Sequence, residues 1–462
     1  MQLDTIRQDL SQRHAEFVAN VNEQMAKIIP PRDTWSPAEE ALYQPKDLYR
    51  VPLKEAHDMQ LKAIKFAFTH HYRNNDFYHR YCEARNIAPD DITTNDDLDK
   101  IPLIPDVFFK QHPSGKDFAY WIAGIFTGDL PKVVVEGPDP TFDDIVNAFN
   151  EKGLAIMYSS GTSGHFSVIP RDLRTFQAAE YALEKFSEAM IPRMDDRLLM
   201  LYPNPESTNL FVGRSTTLSN SLYSDAQYAF DFAIPGALTQ KAMSGNERPN
   251  GKAVASAQTE IQQKLLDTTV NWLERYEKTE ETVRLAAPPF LLISILNSLR
   301  NEGKRFDFGD RGKVWTGGGW KMYEDARSPH ANFRKLVQAV LGIPETQCID
   351  CYTMCESNGM MVQCPEGHYL HTPYTCFKPL VLDDALTPVG YGESGRFAFL
   401  DAVAGSYPGF IISGDRVRLL ERCPICDRPG PVLEPEVRRA EGEEVRGCAE
   451  ELQRVLAEGL SQ

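Results

Sequence analysis

The 462-residue sequence lacks any long apolar run. Its best, residues 290–296, is far shorter than the roughly 20 residues a membrane-spanning helix needs. Residues 1–20 are polar and charged and lack the apolar stretch of a secretory signal peptide, so a cytoplasmic protein is expected. Positive charge is in deficit as well. Lys and Arg number 49 against 65 Asp and Glu, a net charge of −16 that repels nucleic acid and anionic lipid and argues against a phosphate-backbone binder. Internal repeats and low-complexity linkers are absent. Cysteine is scarce outside one segment: of nine, only Cys82 lies outside residues 348–448. The other eight are Cys348, Cys351, Cys355, Cys364, Cys376, Cys423, Cys426 and Cys448. In a reducing compartment such crowding points to metal or thiol chemistry rather than to disulfides.

The chain length suits two to four folding units at roughly 150 residues each. Residues 1–100 predict a mainly helical segment, from apolar residues at helical spacing through Leu3, Ile6, Leu10 and Phe17, and again through Ala56, Leu61, Ile64 and Phe68. From there to residue 415 the pattern predicts a layered α/β domain. The short apolar runs 154–157, 198–201, 283–286 and 313–315 read as buried strands, each followed by a Gly- or Pro-marked loop and then a helix. Residues 381–420 predict antiparallel strands. Residues 416–462 form a short C-terminal segment ending in a helix from about Cys448.

Tyr158-Ser-Ser-Gly-Thr-Ser-Gly164 follows the first of these strands. Its small hydroxyl residues and glycines let backbone N–H and side-chain O–H groups close around phosphate oxygens. No Gly-Lys-Ser/Thr closes the loop, so it is not a Walker A motif. Downstream come Trp315-Thr-Gly-Gly-Gly-Trp-Lys321, Tyr352-Thr-Met-Cys-Glu356 and Ser413-Gly-Asp415. In that order the four motifs resemble the adenylate-forming superfamily. The segment Ile101-Pro-Leu-Ile-Pro-Asp-Val-Phe-Phe-Lys110, Gly318-Gly-Trp-Lys321, Ala287-Pro-Pro-Phe290 and Glu444-Val-Arg-Gly-Cys448 resemble one branch of it, which holds the phenylacetate–CoA ligases and the acyl-protein synthetases of bacterial luminescence.

That resemblance implies the large N-terminal domain of an adenylate-forming enzyme, layered α/β with a β-rich subdomain, followed by a truncated C-terminal tail domain. It also implies ATP-dependent activation of a fatty or aromatic carboxylic acid to an acyl-adenylate, then capture of the acyl group by a thiol. Ser159, Ser160, Gly161, Thr162, Ser163 and Gly164 would hold the phosphates. Thr316, Gly317, Gly318 and Gly319 would approach the adenine, Tyr352 would lie against the base and Asp415 would bind the ribose hydroxyls. Glu356 would hold Mg²⁺, a hard cation suited to carboxylate and phosphate oxygens. Cys448 would accept the acyl group and present it to a reductase partner.

The sequence departs from the superfamily pattern at two places. His165 and Phe166 stand where a lysine usually closes the phosphate loop, and only 47 residues follow Asp415, without the usual late catalytic lysine. Lys110 or Lys321 is expected to supply positive charge instead. The short tail favours an acyl-protein synthetase. A ligase using free CoA is the second reading, and an inactive nucleotide- or acyl-binding protein the third.

Cys423-Pro-Ile-Cys426 has the spacing by which two thiolates share a tetrahedral metal, and Cys364-Pro-Glu-Gly-His368-Tyr-Leu-His371 supplies a second half. Spacing leaves His368 and His371 both open. The pairing seen in phenylacetate–CoA ligase-like sequences selects Cys364, His371, Cys423 and Cys426 for a structural zinc ion. Cys348, Cys351 and Cys355 read as packed core thiols. The apolar segment 288–296 borders the acyl or aryl pocket in such relatives, and core packing explains the same residues equally well.

Overall fold

The computed structural model describes residues 3–159, 166–192, 195–223, 225–230, 251–318, 329–440 and 452–456. Ser160, Gly161, Thr162, Ser163, Gly164, Gly319, Lys321 and Cys448 lie outside the described residues.

The N-terminal segment is helical as its periodicity predicts, with helices Leu3–Ile28, Pro37–Tyr43, Leu53–Asn74 and Asp76–Glu83. Local chemistry sets their starts. Ser36 and Glu39 form a reciprocal capping box behind Pro37, and the Asn75 side chain caps Asp76–Glu83 by accepting from the Tyr78 N–H at 2.8 Å. Phe68, Phe77 and Tyr78 bury their rings in the main core, so this segment packs against the α/β part.

Strands Ala226–Phe230, Arg197–Pro203, Val283–Ala287, Gly312–Thr316 and Cys348–Tyr352 lie side by side and parallel. Both faces are covered, which is why these strands read as continuous apolar runs. Leu199, Leu201, Leu285 and Val314 face helices Gly251–Glu277, Pro289–Asn301 and His330–Leu341, with Trp272, Leu296 and Phe333 in the shared core. Leu198, Met200, Tyr202 and Ala286 face the other way, into the main core. Each buried Leu or Phe here contributes roughly 1.5–3 kcal/mol by leaving water.

Beyond Cys348–Tyr352 the sheet turns antiparallel through Met361–Gln363, Leu370–His371 and Val432–Leu433, then Phe410–Leu420, Ser394–Asp401 and Phe377–Leu382. Phe410–Leu420 runs through residue 415, and Arg438–Arg439 pairs back onto Asp415 and Arg416. The chain on either side of 415 therefore shares one sheet.

One expectation is corrected. Ala155–Tyr158 is the strand expected there, but the loop after it leads to a second strand, Val168–Arg171, with which it pairs antiparallel in a two-stranded ribbon, and only then to helix Leu173–Met190. The helix Pro289–Asn301 buries Leu292, Ile295, Leu296 and Leu299 in the second core. An apolar helix looks the same in sequence whether it lines a pocket or a core.

Candidate active site

The short strand Ile104–Pro105 pairs parallel with Ile411 and Ile412, and helix Asp106–Lys110 follows at once. This pairing delivers Asp106 to the Gly414–Asp415 turn, where its Oδ2 accepts from the Gly414 N–H at 3.2 Å and from Lys110 Nζ at 2.5 Å. Burial works against the Lys110 ammonium, but Asp106 and Glu356 hold its pKa above the ordinary lysine value. A half-buried cation is thus bonded to one carboxylate, Asp106, and feels the charge of a second, Glu356.

Glu356 is buried and accepts a hydrogen bond from the Ser167 hydroxyl. Burial pushes its carboxyl pKa up, with Lys110 opposing. Its backbone is held by a fully buried guanidinium. Arg171 donates to the Cys355 carbonyl at 2.7 Å and to Asn358 Oδ1 at 2.8 Å, while the Tyr407 hydroxyl donates to the Glu356 carbonyl at 3.0 Å. Asn358 is anchored in turn by Asp401, which accepts its N–H at 2.6 Å. The loop carrying Glu356 is therefore held by charge-assisted bonds from two other segments.

Asp415 accepts from the Tyr352 hydroxyl at 2.7 Å and from Arg439 Nη1 at 3.1 Å. The Tyr352 ring packs near Phe397, with centroids 5.7 Å apart. Thr316 Oγ1 donates to Asp350 at 2.5 Å, across the parallel pairing of their strands. Gly317 is held by its N–H to the Ala287 carbonyl and by its own carbonyl, which accepts from Tyr202; a Cβ there would sit 2.6 Å from Cys351 Sγ. Gly318 follows at φ +93°, a conformation that suits glycine. Ser159 donates its N–H to the Ser167 carbonyl at 2.9 Å, and its hydroxyl accepts the Ser167 N–H. The described part of the phosphate-loop motif thus lies one residue partner away from Glu356.

Sequence reasoning missed Asp106, Ser167, Arg171, Asp350 and Arg439. Asp106 stood four residues before Lys110 in a segment already singled out, and that helical spacing could have found it. Arg171 carries no local signal, since its partners lie some 185 residues downstream.

A cleft of about 140 Å³ opens at the C-terminal ends of the parallel strands, the usual ligand position in such sheets. Tyr202, Gly317, Gly318 and Thr353 line it, and Met200, Phe211, Ala286 and Trp315 supply much of its apolar wall.

The second cluster lies in the antiparallel region. Strand pairing of Leu370 and His371 with Leu433 and Val432 brings the Cys364–His371 turn against the Cys423–Cys426 turn. Donor atoms of Cys364, His371, Cys423 and Cys426 all lie within 4.8 Å of one another, whereas His368 is outside this group. Cys364 Sγ is 3.9 Å from Cys423 Sγ, close to the roughly 3.8 Å expected between thiolates sharing a tetrahedral zinc. The N–H groups of Gly367 and Cys426 donate to Cys364 Sγ and Cys423 Sγ at 3.3 and 3.4 Å, which supports thiolate character. Burial, reinforced by the neighbouring Cys423 and Cys426 thiols, pushes the Cys364 thiol up to about 12, and burial with Arg428 nearby pushes the His371 imidazole down to about 3. The donor set fits a structural zinc ion.

Comparison with known proteins agrees with this layout. The family model "Acyl-protein synthetase, LuxE" matches residues 251–457. A long-chain-fatty-acid–luciferin-component ligase of Vibrio harveyi is 24% identical over 398 residues, covering 86% of this chain and 88% of that protein. A protein of the same description from Aliivibrio fischeri is 24% identical over 413 residues, covering 88% and 91%. Among solved structures, an open conformation of 2-hydroxyisobutyryl-CoA ligase with 2-HIB-AMP and CoA superimposes with a TM-score of 0.57 at 14% identity, covering 89% of this chain and 74% of that one. The chain thus has the fold of the adenylate-forming CoA ligases and, over residues 251–457, the pattern of the acyl-protein synthetase family.

Proposed function

We propose that this protein is an ATP-dependent acyl ligase that activates a carboxylic acid, most simply a fatty acid, and passes the acyl group to its own Cys448. The observation that carries the reading is the convergence of Glu356, Lys110 and the Gly414–Asp415 turn from three distant segments, with Asp106 bonding both Lys110 and the Gly414 N–H. Free CoA is the alternative acceptor.

In the first half-reaction a carboxylate oxygen attacks the α-phosphorus of ATP. The bond from that phosphorus to the bridging oxygen breaks, and pyrophosphate leaves with the electron pair. Two anions must be held in line, so positioning and charge neutralisation dominate the barrier. Lys110 offers a fixed ammonium, Asp415 and Tyr352 orient the nucleoside, and Thr316 to Gly319 allow close approach of the base. Ser159 to Gly164 cradle the phosphates. Glu356 would hold Mg²⁺, which supplies charge neutralisation at the phosphate oxygens. In the second half-reaction the Cys448 thiolate attacks the acyl carbon. The carbon–oxygen bond to phosphate breaks, AMP leaves, and the thiol proton goes to solvent.

Cys364, His371, Cys423 and Cys426 would hold a structural zinc that ties the two turns together. Lys321 is a second candidate for the cation at the reacting carboxylate. No described helix is long and apolar enough to cross a membrane. A cytoplasmic location and an acyl-reductase partner complete the proposal.

Acid-dependent exchange of labelled pyrophosphate into ATP tests the activation step directly. A panel of fatty and aromatic acids should reveal at least one that supports exchange; none doing so contradicts the reading.

A further inference from the structure

The chain is tied down on both sides of residues 441–451, and both ties lie next to the Lys110 cluster. On the N-terminal side, Arg438–Arg439 pairs antiparallel with Asp415 and Arg416, and the Ala440 N–H donates to the Gly414 carbonyl at 3.0 Å. On the C-terminal side, residues 452–456 are helical, with Leu452 and Leu456 buried in the main core. Gln453, partly exposed between them, donates its Nε2 to the Phe108 and Gln111 carbonyls at 3.1 and 3.0 Å. The two ties are themselves joined, because Asp106 bonds both the Gly414 N–H and Lys110 Nζ.

Helix Asp106–Lys110 ends at these carbonyls. The last carbonyls of a helix have no partner inside it and need a donor from elsewhere. Gln453 supplies one from 345 residues downstream of Phe108. The apolar contacts of Leu452 and Leu456 are non-directional, so on their own they leave the rotation and position of so short a helix loosely set. Two hydrogen bonds from Gln453 to fixed carbonyls set both. Cys448 follows Ala440 by eight residues and precedes Leu452 by four. Four residues of chain span at most roughly 14 Å, so an anchor at Leu452 limits how far the thiol can stray, however the intervening chain runs. A thiol tethered in this way meets its electrophile at an effective concentration set by the tether.

We propose that Gln453 is a positioning residue for the second half-reaction: it locks residues 452–456 beside Lys110 and so keeps the segment carrying Cys448 within reach of the acyl-adenylate. The proposal rests on the reading of Cys448 as the acyl acceptor.

The test measures two rates on the full chain: acid-dependent pyrophosphate exchange, and single-turnover labelling of Cys448 by a radiolabelled fatty acid. Gln453→Leu keeps the bulk of the side chain and loses the donor. It should slow labelling roughly three- to tenfold, the factor that one hydrogen-bonding group represents, while exchange keeps most of its rate. Gln453→Lys, whose ammonium can bond the same helix-end carbonyls, should restore most of the labelling. A merely structural role for Gln453 would lower both rates together. Wild-type labelling in Gln453→Leu, or exchange falling in step with labelling, overturns the proposal and leaves Cys448 as the acceptor. Exchange without Cys448 label in the wild type contradicts the acceptor reading, and the proposal falls with it. Amide hydrogen exchange needs no turnover: residues 452–456 should exchange several-fold faster in Gln453→Leu than in the wild type, and equal protection overturns the anchor.

Discussion

The Tyr352 hydroxyl donates to Asp415 at 2.7 Å, and Arg439 holds the other carboxylate oxygen at 3.1 Å. This relationship joins the last parallel strand to the strand Phe410–Leu420, and it orients the carboxylate assigned to the ribose. Tyr352→Phe removes one orienting bond and leaves the ring in place. KM for ATP should rise several-fold, about what one hydrogen bond contributes, with kcat and thermal stability little changed. Exchange rates measured against ATP concentration check this; an unchanged KM would detach Tyr352 from nucleotide binding.

Glu356→Gln keeps an acceptor for Ser167 and relieves a buried carboxylate, so the fold should survive. Loss of the Mg²⁺ ligand should lower pyrophosphate exchange by roughly a hundredfold or more. Circular dichroism alongside exchange at varied Mg²⁺ separates the two effects. Full activity with unaltered Mg²⁺ dependence would remove Glu356 from the site.

The zinc cluster predicts about one equivalent of zinc in purified protein. Stripping it with a chelator, or Cys423→Ser, should lower the melting temperature, because a bound metal would tie together turns 364–371 and 423–426 that otherwise depend on short strands. Elemental analysis and thermal melts decide the matter. A metal-free preparation of undiminished stability contradicts the assignment.

Glu180 is buried on helix Leu173–Met190, and that burial raises its carboxyl pKa to about 8, although the Leu218 N–H bonds to it at 3.1 Å. Between the ordinary glutamate value and about 8, the folded protein keeps a proton that the unfolded chain releases. This group's contribution to stability therefore falls as pH rises through that window. Glu180→Gln retains the acceptor for Leu218 and has no charge to bury. It should be stabilising by roughly 4 kcal/mol at pH 8 and close to neutral near pH 4.5. Denaturant melts at the two pH values test the sign; an equal effect at both would contradict it.

How much was legible in the sequence follows from where each signal is stored. The four strands 155–158, 197–203, 283–287 and 312–316 show as apolar runs because most of their positions are buried, Arg284 and Lys313 being buried exceptions paired with Asp196. The two halves of the Cys/His cluster were legible because each is a short turn with its own spacing, although spacing left His368 and His371 both open and only the resemblance pointed to His371. Arg171, Asp401 and Tyr407, which fix the Glu356 loop, carry no such mark: their partnership exists only after residues 171, 358 and 401–407 meet in the core. Arg439 is a similar case, brought to Asp415 by an antiparallel register that nothing local announces. The segment 288–296 stayed ambiguous because its apolar character fits a core and a pocket equally; the structure places Leu292, Ile295 and Leu296 in the second core.

Transfer to Cys448 is the central claim. It is tested most directly by incubating wild type and Cys448→Ala with a radiolabelled acid and ATP, then resolving them on a denaturing gel. The account predicts ATP-dependent label on the wild type that hydroxylamine removes, and none on Cys448→Ala. Equal label on both proteins, or none on the wild type while added CoA yields labelled acyl-CoA, would contradict it.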